Sequence, residues 1–501
     1  MGLFEAESAR IDGEHVRSPI VTTPTIPRPE DPGSPPSGAS FGVLPLSPAT
    51  LENLVALGYH TMTPIQAASL PLALAGHDLI AQAKTGSGKT AAFALSLLSR
   101  IDGRYFAVQA LVLCPTRELA DQVASEIRRI ARAEENLKIL TLCGGSPIRP
   151  QLASLEHGAH VVVGTPGRVM DHLQRDSLRL DALKTLVLDE ADRMLDMGFY
   201  GDIVTVAEQC PVERQTLLFS ATYPDGIVRL SRQFMREPRE VKLLEQHAAT
   251  KIRQRFYAVD EMSRLQAVGR LLRHFRPVRT LAFCNTKVQC RDLVQVLRDD
   301  GFVALALHGD LDQRERDQVL VQFANKSCSV LVATDVAARG LDIDGLEAVV
   351  NVDVTRDPEV HVHRIGRTGR VDEEGWALTL VGPRDAGNLQ RIEDLHGGAD
   401  TELRALSELE PVGRGPLVPP MVTLQILGGR KEKIRPGDVL GALTGEAGFE
   451  ASSVGKITVN ESATYVAVDR RIGESALRAL ANGKVKGRTV RVRMLSATDD
   501  A

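Results

Sequence analysis

From residue 78 onward, short and almost wholly apolar runs alternate with amphipathic stretches. The runs 78–82, 110–114, 139–143, 160–164, 185–188 and 215–220 are too short for helices and lack the polar alternation of a half-exposed strand. They read as strands buried on both faces. Between them, 89–99 and 118–132 carry the apolar stripe of helices packed on a sheet. Strand and helix in alternation predict a parallel sheet covered on both sides. The pattern lapses at 244–250 and then resumes, with strands at 279–284, 303–307, 329–333, 348–352 and 377–381 and helices at 287–299 and 313–324. Two α/β parallel-sheet domains in tandem are therefore expected at 41–243 and 251–409, joined by a linker at 244–250.

Both ends differ from this body. Residues 1–40 hold seven prolines and no apolar period, and predict a disordered, Pro-rich arm. Residues 410–420, with four prolines and two glycines, predict a flexible linker. Beyond it, 421–496 reads β-α-β-β-α-β, with strands at 422–427, 455–459, 464–468 and 489–494 and helices at 437–443 and 474–481. That order is a small ferredoxin-like α+β domain, the architecture of RNA-recognition motifs.

Composition changes this picture in one respect. The net charge of −4 conceals a basic last domain: 421–496 carries 13 Lys and Arg against 7 Asp and Glu, a balance of +6 that leaves −10 on the rest. A basic module on an acidic body points to a polyanionic partner. Cysteines 114, 143, 210, 284, 290 and 328 show neither metal-ligand spacing nor a disulfide framework, so reduced thiols are expected. With no apolar run of membrane-spanning length and no basic-then-apolar leader, a cytoplasmic protein without membrane partners is expected.

The chemistry begins where the run 185–188 ends in Asp189-Glu190-Ala191-Asp192. Ligands of open parallel sheets bind beyond the carboxyl ends of strands. A solvated turn would look the same, but Ala83-Lys84-Thr85-Gly86-Ser87-Gly88-Lys89-Thr90 lies upstream and is a P-loop with Ala at its first glycine position. Its backbone N–H groups, at residues such as Thr85, Gly86, Ser87 and Gly88, cradle phosphates at a helix N-terminus. Lys89 neutralises the β/γ-phosphates and the Thr90 hydroxyl binds Mg²⁺, with Asp189 as the second metal anchor. ATP and Mg²⁺ are the expected cofactors.

With these blocks in order, 41–385 resembles the DEAD-box RNA helicases, whose core is two RecA-like domains. The resemblance implies that Glu190 activates or orients the attacking water. It implies that Gln66, in Thr63-Pro64-Ile65-Gln66, reads adenine, that Phe41 stacks on the base and that Asp342 contacts the ribose. In His363-Arg364-Ile365-Gly366-Arg367-Thr368-Gly369-Arg370, it makes Arg367 and Arg370 arginine fingers. Ser220-Ala221-Thr222 couples hydrolysis to strand separation, with Asp192 and His363 as interdomain contacts through it. RNA-backbone contacts are implied at Thr116, Arg117, Gly145, Thr165, Pro166, Gly167 and Arg168 in the first domain. In the second they fall at Asn285, Thr286, Gly309, Arg316, Thr334 and Arg339. Val352-Asp353-Val354-Thr355 departs from relatives that carry a tyrosine and a proline there.

The tail resembles the DbpA-type RNA-binding domain of a bacterial branch of this family. Its only aromatics are Phe449 and Tyr465, so binding through basic loops, including Lys484, Lys486 and Arg488, is expected in place of base stacking on the sheet. The resemblance implies an RNA-stimulated ATPase that locally unwinds duplexes. Its target would be a hairpin of 23S ribosomal RNA near the peptidyl-transferase centre, in large-subunit precursor particles, and the enzyme a monomer. An ATP-gated RNA clamp with little unwinding and a DNA translocase are the alternatives.

Overall fold

The structure, a computed structural model, describes residues 38–83, 86–134, 136–242, 252–338, 346–369, 374–395, 401–413 and 415–496. The linker expected at 244–250 lies outside them, as does nearly all of the N-terminal arm. Order starts a little before Phe41, because Gly38 N donates to Met62 O (3.0 Å) and Met62 N to Ala39 O (2.8 Å).

The first sheet comprises β1 (Leu79–Gln82), β2 (Ala110–Leu113), β3 (Ile139–Leu142), β4 (Val161–Gly164), β5 (Thr185–Asp189), β6 (Gln215–Ser220) and β7 (Arg239–Lys242). It is parallel throughout, in the order β3-β4-β2-β5-β6-β1-β7. Side chains alternate across a strand, so each strand feeds two cores. Val112, Val163, Val187 and Phe219 join one apolar cluster, and Leu111, Val162, Leu186, Leu188 and Leu218 the other.

The second sheet repeats this plan. It holds β8 (Ile252–Ala258), β9 (Thr280–Cys284), β10 (Ala304–Leu307), β11 (Val330–Thr334), β12 (Ala348–Asn351), β13 (Gly375–Val381) and β14 (Leu403–Ala405). Its order, β10-β11-β9-β12-β13-β8-β14, is the first sheet's order strand for strand, again all parallel. Three strands were not predicted: β7, β8 and β14. Their sequences REVK and IRQRFYA are interrupted by charges and LRA is only three residues long; β7 and β14 are sheet edges and β8 lies one strand in. Charged, short edge strands discourage pairing with other chains and leave no apolar run to read.

The third sheet is antiparallel: β15 (Met421–Leu427), β16 (Val454–Val459), β17 (Thr464–Asp469) and β18 (Arg491–Leu495), ordered β16-β17-β15-β18. Helices Pro436–Gly441 and Gly473–Asn482 pack on one face around Leu424, Val439, Val466, Ala476 and Leu480. The two parallel sheets and the α+β tail match the expected fold class.

The stretch 410–420 departs from a flexible tether. Arg276 Nη1 donates to Val412 O (2.6 Å) and Gly415 O (3.0 Å), His274 Nδ1 meets Glu410 O (2.8 Å), and Arg470 Nε donates to Pro419 O (2.6 Å). Proline leaves carbonyls without an amide of its own to offer in return, and basic side chains from both flanking domains take them. All six cysteines are free and buried. Among the described residues no helix is long and apolar enough to cross a membrane.

Candidate functional site

β1 delivers the chain into the phosphate loop, where Ala83 N still donates to Ser220 O (3.0 Å) beside β6. Gly88 caps the helix Lys89–Leu98 with φ of 94°, a conformation other residues adopt at a cost. A Cβ there would also lie 2.5 Å from Gln66 Nε2. That closeness has a purpose: Gln66 Oε1 accepts from Thr63 N (2.9 Å) while its Nε2 donates to Gly88 O (3.0 Å). One carboxamide thus pins the start of helix Pro64–Leu74 to the phosphate loop. Lys89 is buried and its Nζ donates to Ala83 O (2.9 Å), inside the same loop. Thr90 follows, half-buried, one residue into the helix, and Ser87 and Gly86 lie in the turn before it. Thr85 falls outside the described residues. Phe41 is a core residue, edge-on to Tyr59 with centroids 6.3 Å apart.

Asp189 is the last residue of β5, and Glu190 turns the chain into the helix Ala191–Asp196 at φ 52°, ψ 50°. Left-handed backbone at a non-glycine residue is strain of the kind that functional sites store. The Glu190 carboxylate pairs with Arg193 at 3.0 Å, both nearly sealed from solvent. Burial pushes the Asp189 carboxyl up to about 7, with Glu190 and Asp192 pressing the same way and Lys89 against. Its Oδ1 is buried without a hydrogen-bond donor. A carboxylate oxygen in that position, a threonine hydroxyl and a lysine at a P-loop suit a divalent cation held on a nucleotide.

Asp192 is the hub between β5 and β6. Its Oδ2 accepts from Ala221 N (3.1 Å), Thr222 N (2.9 Å) and Thr222 Oγ1 (3.0 Å), and its Oδ1 from Arg193 N (3.0 Å). Ser220 Oγ takes the Asp192 N–H at 3.3 Å. Burial alone would raise this carboxyl, but the Thr222 bonds prevail and hold it below its ordinary value.

The second domain faces this hub. Arg193 and Asp196 line one cavity with His363, Arg364 and Arg367. Burial lowers the His363 ring's affinity for a proton, as do Arg193 and Arg367, while Asp192 and Glu190 act in opposition. Arg364 is structural: it grips Asp335 with Nε and Nη2, both at 2.7 Å, and gives Nη1 to Asp353 O (2.9 Å). Arg367 is buried at the cleft. Arg370 and Asp342 lie outside the described residues, as does Arg339.

The backbone-reading candidates gather at the carboxyl edges of both sheets. Thr116, Thr165 and Thr286 each begin a helix, so each sets backbone N–H groups and a positive helix end at that edge. Pro166 and Gly167 open the helix after Thr165, and Arg168 returns to Ser146 O (3.1 Å) and Gln151 Oε1 (2.9 Å). Arg117 covers Gly144 and Gly145 so closely that a Cβ at Gly145 would overlap its guanidinium. In the second domain Thr334 Oγ1 accepts from Ala337 N (3.4 Å), Asn285 N donates to Asp353 Oδ2 (3.1 Å), and Gly309 stands in an open turn.

Two contacts across the cleft were not foreseen. Arg117 Nη1 donates to Gln313 Oε1 (2.8 Å), and Arg316 pairs with Glu118. Partners nearly two hundred residues apart leave no local trace, whereas the buried Glu190–Arg193 pair could have been found from its helical spacing. In the tail, Lys484, Lys486 and Arg488 are exposed on the loop before β18, and Lys486 Nζ reaches Lys433 O and Asp438, joining it to the other basic loop. Tyr465 is only 4% exposed and Phe449 packs into the tail core.

Residues 63–230 match a family model described as DEAD/DEAH box helicase, 263–372 one described as helicase conserved C-terminal domain, and 423–494 one described as DbpA RNA binding domain. The chain is similar to the ATP-dependent RNA helicase DbpA of Escherichia coli (strain K12), 51% identical over 91% of this chain and 99% of that protein. It is 46% identical to the ATP-dependent RNA helicase CshA of Listeria monocytogenes, over 71% of this chain and 68% of that one. Among solved structures it resembles S. cerevisiae Dbp5 bound to RNA and ADP BeF3, with a TM-score of 0.68, 30% identity, and coverage of 74% of this chain and 96% of that one.

Proposed function

The chain belongs to the DEAD-box ATP-dependent RNA helicases of the DbpA type, and from that premise we propose how it works and on which RNA. Lys89 would neutralise phosphate charge, Thr90 and Asp189 would hold Mg²⁺, which supplies charge to the phosphates when bound, and Glu190, kept in place by Arg193, would orient the attacking water or take its proton. Gln66 reports adenine to the phosphate loop, because the amide that would read the base is bonded to Gly88. Arg367 and Arg370 supply positive charge from the second domain to the transition state, a contribution worth about 10³–10⁵ in rate for such fingers. His363 meets the Asp192–Thr222 hub from the same side. Closure of the cleft therefore completes the site, and the helix ends at both sheet edges grip RNA backbone as it closes, with little sequence choice.

The observation that carries this reading is the cavity where Arg193 and Asp196 of one domain meet His363 and Arg367 of the other. The target is proposed to be a 23S ribosomal RNA hairpin, read by the basic loops of residues 421–496 and unwound locally by a monomeric cytoplasmic enzyme. Its support is the match of 423–494 to the DbpA RNA binding domain. ATPase activation by a 23S fragment and by an unrelated RNA of equal length, with and without residues 421–501, tests it. Preference for the 23S fragment should vanish on truncation while activation by generic RNA persists. Equal discrimination by both proteins overturns the targeting role.

A further inference from the structure

The helix Ile148–Glu156 buries one residue, and that residue is polar: Gln151. The helix Arg117–Ile130, by contrast, buries Leu119, Val123, Ile127 and Ile130. A buried amide is costly unless its polar atoms find partners, and Gln151 finds three. Its Nε2 donates to Cys143 O (3.0 Å), and its Oε1 accepts from Arg168 Nη1 (2.9 Å) and His172 Nε2 (3.0 Å). None of these partners lies on its own helix. Cys143 leads from β3 into the exposed turn at Gly145 and Ser146, whereas Arg168 and His172 stand on the helix Pro166–Gln174 that follows β4. Arg168 closes the ring, donating to Ser146 O with Nη1 (3.2 Å) and Nη2 (3.1 Å). One carboxamide thus joins the turn after β3 to the helix after β4. It does so beneath the sheet edge where Gly145, Gly167 and Arg168 are read as RNA-backbone contacts.

His172, fully buried, settles which way the amide faces. Its own carbonyl already receives the amides of Ser177 (3.0 Å) and Leu178 (3.3 Å), so the Ser177 hydroxyl can serve the ring at Nδ1 (2.9 Å). A neutral ring then carries its proton on Nε2 and donates it to an oxygen. The oxygen of Gln151 is therefore the atom that Arg168 also meets, an acceptor and not a competing donor. Burial and the Arg168 charge both lower the ring's affinity for a second proton, against Asp171. Asp171 lies 3.7 Å from Arg168 Nε, but Arg175 holds it more closely, at 2.6 Å. The short bonds to Arg168 thus come from uncharged oxygens, which fix the guanidinium without cancelling its charge.

We propose that Gln151 is a positioning residue that aims Arg168 and fixes the Gly144–Ser146 turn beside it, so that both meet RNA backbone as one preassembled unit. This rests on the reading that this edge binds RNA. The test titrates the full chain with a short oligoadenylate, which lacks the tail's proposed hairpin target, and reads ATPase activation at several salt concentrations. Gln151→Met keeps the bulk and loses both polar atoms. It should raise the half-activating RNA concentration about three- to tenfold, the factor of one charge-assisted hydrogen bond weakened. The maximal rate and the KM for ATP should stay near those of the parent. Because the change acts through Arg168, this uncharged substitution should also flatten the salt dependence, by up to about 0.7 in log–log slope for one phosphate contact. Arg168→Ala should do the same, and Gln151→Met should add nothing to it. Gln151→Glu retains acceptors for Arg168 and His172 and covers the case of a Met variant that fails to fold. Its carboxylate cancels the guanidinium charge and should give the same shift and the same flattening. An unchanged midpoint and slope in the Gln151 variants overturns the proposal, as does a shift that persists in full over Arg168→Ala. Should Arg168→Ala itself leave both unchanged, the reading of this edge fails and takes the proposal with it.

Discussion

Asp192→Asn is the most informative single substitution, because four donors converge on this buried carboxylate at 2.9–3.1 Å. An amide has one acceptor oxygen. With that oxygen turned toward Ala221 and Thr222, the new NH₂ confronts the N–H of Arg193; turned the other way, it confronts three donors. The first arrangement is the milder, because the Arg193 N–H keeps a second acceptor, Glu190 O at 3.0 Å. The three remaining bonds fall from the strength of bonds to a charge, about 1.5–3 kcal/mol, to that of neutral bonds, about 0.5–1.5 kcal/mol. Relief from burying a charge returns part of this, so a net loss of about 2–4 kcal/mol is expected for the first domain. Chemical denaturation of the variant reads that loss. Because the same bonds tie Ser220–Thr222 to β5, strand separation should suffer more than RNA-stimulated hydrolysis, read as duplexes opened per ATP consumed. Wild-type stability together with an unchanged ratio would refute the account of Asp192 as the hub.

Glu190→Gln should bind ATP yet abolish multiple turnover, and the variant should stay longer on RNA in filter-binding chases; near-normal turnover would remove Glu190 from its assigned role. Gln66→Ala should weaken ATP and erode its preference over GTP in competition assays, because the link from Thr63 to Gly88 is lost with the amide proposed to read the base. Burial in the cleft, with Arg193 and Arg367 beside it, lowers the affinity of the His363 ring for a proton, and opening the cleft would relieve this toward the ordinary histidine value of about 6.5. Closure is therefore fully stable above that pH and weakens as pH falls below it. RNA-stimulated ATPase at subsaturating RNA should decline below about pH 6.5, and the decline should flatten in His363→Asn. Thr423→Val deprives Asn325 and Ser327 of their shared partner and should loosen tail docking by about 1–3 kcal/mol, seen as faster hydrogen exchange at the Met421 amide.

What could be read in the sequence was what chemistry confines to short stretches. The phosphate loop proposed at Gly88, Lys89 and Thr90 occupies one helix start and the proposed metal anchor Asp189 one strand end, so both stand in consecutive letters. Strands buried on both faces announce themselves as apolar runs; β7, β8 and β14, near or at edges, do not. The pairs Arg117–Gln313 and Glu118–Arg316 depend on how two domains meet, which no local pattern carries. The linker misled because proline and glycine set backbone stiffness but say nothing of Arg276, whose guanidinium holds Val412 and Gly415 in place. Tyr465 was legible in part: the scarcity of aromatics in the tail pointed away from base stacking on the sheet, but not to the helix of the second domain that covers it.

The lacing of residues 410–420 has a mechanical consequence. A domain on a slack string would absorb the motion of its neighbour, whereas one bolted to the second core domain becomes a lever arm. If the loops around Lys433 and Lys486 hold RNA as proposed, any swing that shuts the cleft would be delivered to it, enlarged by their distance from the pivot. A duplex gripped there and a strand gripped in the cleft would be wrenched against each other in a single stroke. The length of that stroke is set by where Thr423 and Tyr465 seat, so inserting extra residues into the linker should leave it unaltered for as long as the seat holds.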